Sequence, residues 1–143
     1  MASEDLKTMV RRAWDEAFHK GNVDALDEIT APDMLHHQPP APDLRGLAAY
    51  KQMVAEMRKA FSDIKFAFDE IVVEGEVTAA RWTFQGTHTG QIPNMPPIPP
   101  TSKRVTMTGI AIVHTVNGKA VEMWQYPDTL GFMQQLGAAP PMG

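Results

Sequence analysis

The stretch Val77-Thr78-Ala79-Ala80-Arg81-Trp82-Thr83-Phe84-Gln85-Gly86-Thr87-His88 changes character at every second residue, which is the period of a half-buried strand. Val77, Ala79, Arg81, Thr83 and Gln85 share one face; Ala80, Trp82, Phe84, Gly86 and His88 share the other. The second set is the more aromatic, so it is the candidate core or pocket face. Before it, residues 64–74 are rich in Phe, Ile and Val and end at a turn on Gly75. After it, residues 89–102 carry five prolines between Pro93 and Pro100. Proline lacks the N–H that a central strand donates, so this segment reads as an extended loop. Residues 104–116 form the next strand, Asn117-Gly118 is a hairpin turn, and residues 119–126 form the last strand.

Upstream, the period changes to that of a helix. Leu6, Val10, Ala13, Trp14, Ala17 and Phe18 recur at helical spacing behind a Ser3 N-cap, and Gly21 ends the run. Asn22 caps a short second helix through Ala25, Leu26 and Ile29 that stops near Pro32. Residues 35–46 read as a loop. A third helix carries Leu47, Tyr50, Met53, Val54, Met57, Ala60 and Phe61 on one stripe. Residues 129–136 read as a last short helix before Gly137, and residues 138–143 as a frayed tail. Helices first and strands after make an α+β domain over residues 1–143. Its N-terminal helices close one side of a curved sheet of four antiparallel strands, forming a cone with a central cavity.

Composition narrows the chemistry. The chain has 143 residues, no cysteine and a formal net charge of -4. Absence of cysteine excludes disulfides, thiol nucleophiles and Cys-ligated metal sites, and it fits a reducing, cytoplasmic setting. Negative charge argues against nucleic acid or an anionic membrane surface as partner. No apolar run reaches the ~20 residues of a membrane span. Metal-ligand spacings are missing, so no metal is expected, and there is no phosphate-binding glycine loop or nucleophile elbow.

Imidazole and carboxylate remain as acid/base groups. Asp128 follows Trp124, Gln125, Tyr126 and Pro127, and in an ideal strand Trp124, Tyr126 and Asp128 share a face. An acid beside aromatic walls is desolvated and its pKa rises toward a useful value. The same Asp before Thr129-Leu130-Gly131 is also an ordinary helix N-cap, and the spacing leaves both readings open. His36-His37 lies in the first loop, where adjacent side chains point opposite ways. His88 ends the aromatic strand face between Gly86 and Gly90. His19, near the end of the first helix, reads as a surface residue. His114 pairs with Val121 if the hairpin turn has two residues, or with Ala120 if it has three.

Together these pieces resemble the SnoaL-like polyketide cyclases, within the nuclear-transport-factor-2-like and ketosteroid-isomerase-like superfamily of cone folds. The resemblance is carried, in order, by GNVDAL at 21–26, APDMLHHQP at 31–39, AFSD at 60–63 and RW at 81–82. It continues through GTHTG at 86–90, PTSK at 100–103, TGIAI at 108–112, GK at 118–119, EMW at 122–124 and Asp128. It implies a cone that pairs as a homodimer, holds a ligand cavity and closes polyketide rings by an aldol step without cofactor. Asp128 matches the family's carboxylate after the last strand, His37 the histidine before the first loop's proline, and His88 the Gly-Thr-His motif. Members often carry an acid directly after the motif Trp; here that residue is Gln125. Ser102 stands where Gly is common. The resemblance also brings both proline loops near the cavity.

The reading that follows is proton transfer beside a carbonyl of a bulky, mostly apolar ligand. Asp128 moves the proton, while His37 and His88 bind the carbonyl or enolate oxygen. Trp82, Trp124, Tyr126 and Met107 wall the pocket, with His36 and His114 as further ligand contacts. A non-catalytic ligand-binding cone dimer is the alternative, motivated by Gln125. Epoxide hydrolysis ranks last, because it wants two acids and only Asp128 is well placed.

Overall fold

The computed structural model describes residues 3–93, 95 and 97–139. The tail read as frayed therefore lies outside the described residues from position 140 onward. Helix α1 (Ser3–His19) is followed by a 3-10 turn (Val23–Glu28), β1 (Thr30–His37), β2 (Leu44–Arg45) and α2 (Leu47–Ala60). Then come β3 (Lys65–Glu74), β4 (Val77–Thr87), β5 (Arg104–Val116), β6 (Lys119–Pro127) and α3 (Thr129–Leu136). The six strands form one mixed sheet in the order β2-β1-β6-β5-β4-β3. The expected α+β architecture stands, with the helices gathered on one face of a curved, unclosed sheet. No helix among the described residues is long and apolar enough to cross a membrane.

Two strands correct the sequence reading, which had four. Residues read as helix end and loop form β1 and β2 instead. Strand β1 runs parallel to β6, and its pairing shifts between Thr30 and Leu35. Pro32, which has no N–H to donate, falls inside that irregular stretch, where a missing ladder bond costs little. A parallel partner 85 residues away, as His37 and Glu122 are, leaves no local signal. The expected second helix is a single 3-10 segment for the same reason: the chain must turn at once into β1.

The core sits between the helices and the concave face of the sheet. Leu6, Ala13, Trp14, Ala17 and Phe18 of α1 are buried, as are Leu47, Tyr50, Val54 and Ala60 of α2. Trp14 stacks on Phe18 at 5.2 Å, and Phe18 lies 4.9 Å from Phe66. Each such side chain contributes about 1.5–3 kcal/mol through burial. On β4 the buried set is Thr78, Ala80, Trp82, Phe84 and Gly86, in the parity expected from the sequence. Asn117 and Gly118 both take positive φ, 53° and 79°, and Val116 pairs with Lys119 across a two-residue turn. A bulge follows, so His114 pairs with Glu122 rather than with Val121 or Ala120.

Candidate active site

Side-chain size along the sheet makes the cavity. Cross-strand rows on the concave face run Ala80–Ala111–Gln125, Trp82–Gly109–Pro127 and Thr78–Val113–Met123–His36. Alanine faces alanine in the first row, which leaves space under α1 and α2. In the second row a Cβ on Gly109 would collide with the Trp82 indole, so glycine is what lets the tryptophan lie flat across the strand. The result is a cavity of about 330 Å³.

Most of its lining is apolar. Trp14, Phe18, Phe66, Phe84 and Met107 contribute, with Met53, Met57, Met123 and Met133. Both proline loops reach it, through Gln38, Pro39, Pro40 and Ala41 on one side and Ile92, Pro93 and Met95 on the other. A flexible methionine lining adapts to irregular apolar shapes. No Asp, Glu, Lys or Arg stands among the described lining residues.

His36 is the histidine on the cavity wall. It is 2% exposed, its ring lies 5.0 Å from that of Tyr50, and its Nε2 is buried without a hydrogen-bond partner among the described residues. Burial lowers its pKa to about 4; the neighbouring His37 adds to this and Asp43 opposes it. The imidazole is therefore neutral near pH 7, with one nitrogen free to accept a proton. Stability follows with a definite sign. Between pH 6.5 and about 4 the unfolded chain binds a proton here that the folded chain refuses. Folding stability then falls as pH falls through this window, by about 3 kcal/mol at ~1.4 kcal/mol per unit. Urea denaturation at pH 7 and at pH 4 checks this: His36→Gln should lose that much less than the unaltered chain.

Next to it is a polar group that the sequence reading placed in the helix stripe or noted only as a departure. Trp82 Nε1 donates to Gln125 Oε1 at 3.0 Å. Gln125 Nε2 and Tyr50 Oη both donate to Met123 Sδ, at 3.4 and 3.6 Å. Burial pushes the Tyr50 hydroxyl well above its usual pKa, with Gln125 opposing, so it stays protonated. A buried tyrosine hydroxyl needs a partner, and that was the available signal for Tyr50.

The other expected site residues lie elsewhere. Asp128 is exposed and caps α3: its Oδ1 accepts from Gly131 N at 3.0 Å, and its backbone N donates to Thr108 O. Its side chain is not enclosed by the aromatic walls expected around it, and it does not line the cavity. Asp128→Ala should lower stability by about 1 kcal/mol, as loss of a cap does. Asp128→Asn, which still caps, should keep it, and neither should change ligand uptake; thermal melts and a binding titration decide.

His37 points to the outer face of the sheet. Glu122 at 2.7 Å and Asp43 at 3.0 Å hold its two ring nitrogens, and both raise its pKa, Glu122 more. Trp124 stacks on it at 5.3 Å, and His114 meets the same indole at 4.8 Å. Trp124, Tyr126 and His114 thus share the outer face and do not wall the cavity. The cause is strand parity: the bulge after Ala120 turns Met123, Gln125 and Pro127 inward. His88 is 0% exposed but stands outside the cavity lining. Its Nδ1 accepts from Thr101 N at 3.2 Å, and its backbone pairs with Ser102 and Lys103. Its backbone and Nδ1 pin the end of the proline loop, and its buried Nε2, like that of His36, has no hydrogen-bond partner among the described residues. His19 bridges Asp15 and the Phe66 N–H at the sheet edge, the surface role expected for it. Of the expected wall residues, Trp82, Met107 and His36 line the cavity. No cluster of three or more His, Asp or Glu among the described residues is placed to hold a metal.

Comparison with known proteins agrees with this architecture. The chain is 31% identical over 127 residues to nogalonic acid methyl ester cyclase of Streptomyces nogalater, covering 85% of this chain and 90% of that one. It is 32% identical over 133 residues to aklanonic acid methyl ester cyclase DauD of Streptomyces sp. strain C5, covering 88% and 78%. The structure of TsrD from Streptomyces laurentii superposes with a TM-score of 0.85 at 26% identity, over 96% of this chain and 98% of that one. The sequence profile of the SnoaL-like polyketide cyclases matches residues 8–136. A family match over residues 8–136, two cyclase relatives above 30% identity along most of their length and a shared fold lead to one conclusion: this chain belongs to the SnoaL-like polyketide cyclase family.

Proposed function

We propose that this protein performs cofactor-independent proton-transfer chemistry of the aldol or enolisation type on a bulky, mostly apolar carbonyl ligand, with His36 as the base. The observation that carries this reading is a neutral, unpartnered imidazole nitrogen in an apolar cavity whose described lining holds no second imidazole and no carboxylate. In the cyclisation, Nε2 of His36 takes a proton from a carbon beside a carbonyl. The resulting enolate carbon attacks a second carbonyl carbon of the same ligand. The new alkoxide then takes the proton back from the imidazolium, so no oxidant or second substrate is consumed. A base with a pKa near 4 is weak, which directs the chemistry to carbon already acidified by two flanking carbonyls.

The test is isotope exchange. In D2O with a neutral 1,3-diketone ester that carries a further ketone, the protein should speed deuterium entry at the doubly activated carbon and yield a cyclised isomer. Tight uptake with no exchange supports the second reading, a non-catalytic binding cone. Gln125, uncharged where family members often carry an acid, is the observation that favours that alternative. Epoxide hydrolysis has no pair of acids at the described cavity wall to support it.

The outer face supports a homodimer. Val72, Val77, Ile110, Ile112, Val116 and Tyr126 are exposed, Ile110 by 53% and Tyr126 by 59%, and cross-strand pairing gathers them with Trp124 on that one face. Such a patch calls for a partner, and a second copy presents the same apolar surface. Light scattering behind gel filtration should give twice the chain mass, and Ile110→Lys should give one chain mass. A monomer in the unaltered protein would refute pairing.

A further inference from the structure

We infer that Tyr50 and Gln125 form an oxygen-binding site in the cavity, occupied in the unliganded protein by the Met123 thioether. This rests on the carbonyl-ligand reading above and adds the groups that hold the oxygen.

The argument starts from the indole of Trp82. An indole N–H can only donate, so the Gln125 atom 3.0 Å from it is the carbonyl oxygen. The amide orientation is thereby determined, and Gln125 must present its N–H2 on the other side. That side meets Met123 Sδ at 3.4 Å, and the Tyr50 hydroxyl meets the same sulfur at 3.6 Å. Two good donors converge on one atom, and that atom is among the weakest acceptors a protein has. A ligand carbonyl oxygen is a far better acceptor, and an enolate oxygen better still. Methionine has three rotatable side-chain bonds and can swing aside.

The position suits the chemistry. Met123 pairs directly with His36 across β1 and β6, and the imidazole lies against the Tyr50 ring. An oxygen held by Tyr50 and Gln125 therefore has its α carbon beside His36, the one imidazole among the described lining residues. Tyr50 and Gln125 touch the reacting oxygen; Trp82 acts through Gln125 and is a positioning residue.

The experiment needs no turnover. The probe is 2-acetyl-6-(dimethylamino)naphthalene, a neutral aryl ketone, titrated by fluorescence, with its carbonyl stretch read by infrared difference spectroscopy. In the unaltered protein the bound carbonyl band should lie below its position in alkane solvent. Tyr50→Phe should move it part of the way back and weaken binding about 3- to 10-fold, the worth of one hydrogen bond. Gln125→Leu should do the same. If that variant does not fold because Trp82 loses its acceptor, Gln125→Glu, read at alkaline pH where its carboxylate is ionised, keeps an acceptor for the indole while removing the donor, and should also raise the band. Met123→Leu should tighten binding severalfold, because the ligand no longer competes with sulfur; a merely structural role would not produce this gain. An unshifted band in Tyr50→Phe and in the Gln125 variants overturns the inference alone. Failure of the unaltered protein to bind the ketone overturns it together with the proposed function. Loss of exchange in His36→Gln with the band unchanged supports both.

Discussion

Replacing His36 with glutamine is expected to lower turnover, or α-carbon deuterium exchange, about 10²–10⁴-fold, the usual cost of removing a working base. Glutamine keeps a polar group of similar reach on β1 and relieves the burial of an ionisable ring, so the fold should hold. The pH profile identifies which histidine acts. A base works in its neutral form. His36 is neutral above about 4, so kcat/KM should be flat between pH 6 and 8. His37, raised by Glu122 and Asp43, would instead give a rate that climbs within or above that range. Full exchange activity in His36→Gln would remove His36 from the mechanism.

Trp82→Ala is expected to cost about 3–5 kcal/mol of stability, because it empties the centre of the concave face. It also frees Gln125 to rotate, since its carbonyl loses the indole donor. Gly109→Ala attacks the same contact from the other strand and should cost about 1–3 kcal/mol by overpacking. Its new methyl would overlap the indole and approach Pro127 Cα at 3.0 Å. In the double variant the indole is gone, so the summed losses should exceed the observed one. Urea denaturation of the four proteins measures this; strict additivity would mean that the two residues do not share the space.

Local chemistry was legible wherever neighbours in sequence decide it. Whereas for Asp128 the spacing left cap and acid/base role open and the structure shows the cap, the stripes of α1 and α2, the parity of β4 and the Asn117-Gly118 turn all depend on residues within one or two turns of each other. Long strands β3 to β6 were read nearly to their ends for that reason. Strand β1 was not, since its partner β6 lies far along the chain and Pro32 speaks against a strand. The site was legible in part. His36, Trp82 and Met107 were named and line the cavity. Gln125 was noticed for what it lacked, and Tyr50 was absorbed into a helix stripe.

What misplaced Trp124 and Tyr126 was one extra residue, the bulge at Val121 on β6, whereas His37 and His114 face outward by the parity of β1 and β5 themselves. Period-2 reasoning assigns faces relative to a strand, but which face meets the helices depends on register, and a bulge reverses the assignment for everything beyond it. By itself, then, the sequence determined an α+β chain without thiol chemistry, with four of its six strands, its helical roof and its family resemblance. Only the tertiary structure decided that His36 faces inward and His37 outward. The reason is that a β-strand sends adjacent side chains to opposite sides, and only packing tells which side is dry.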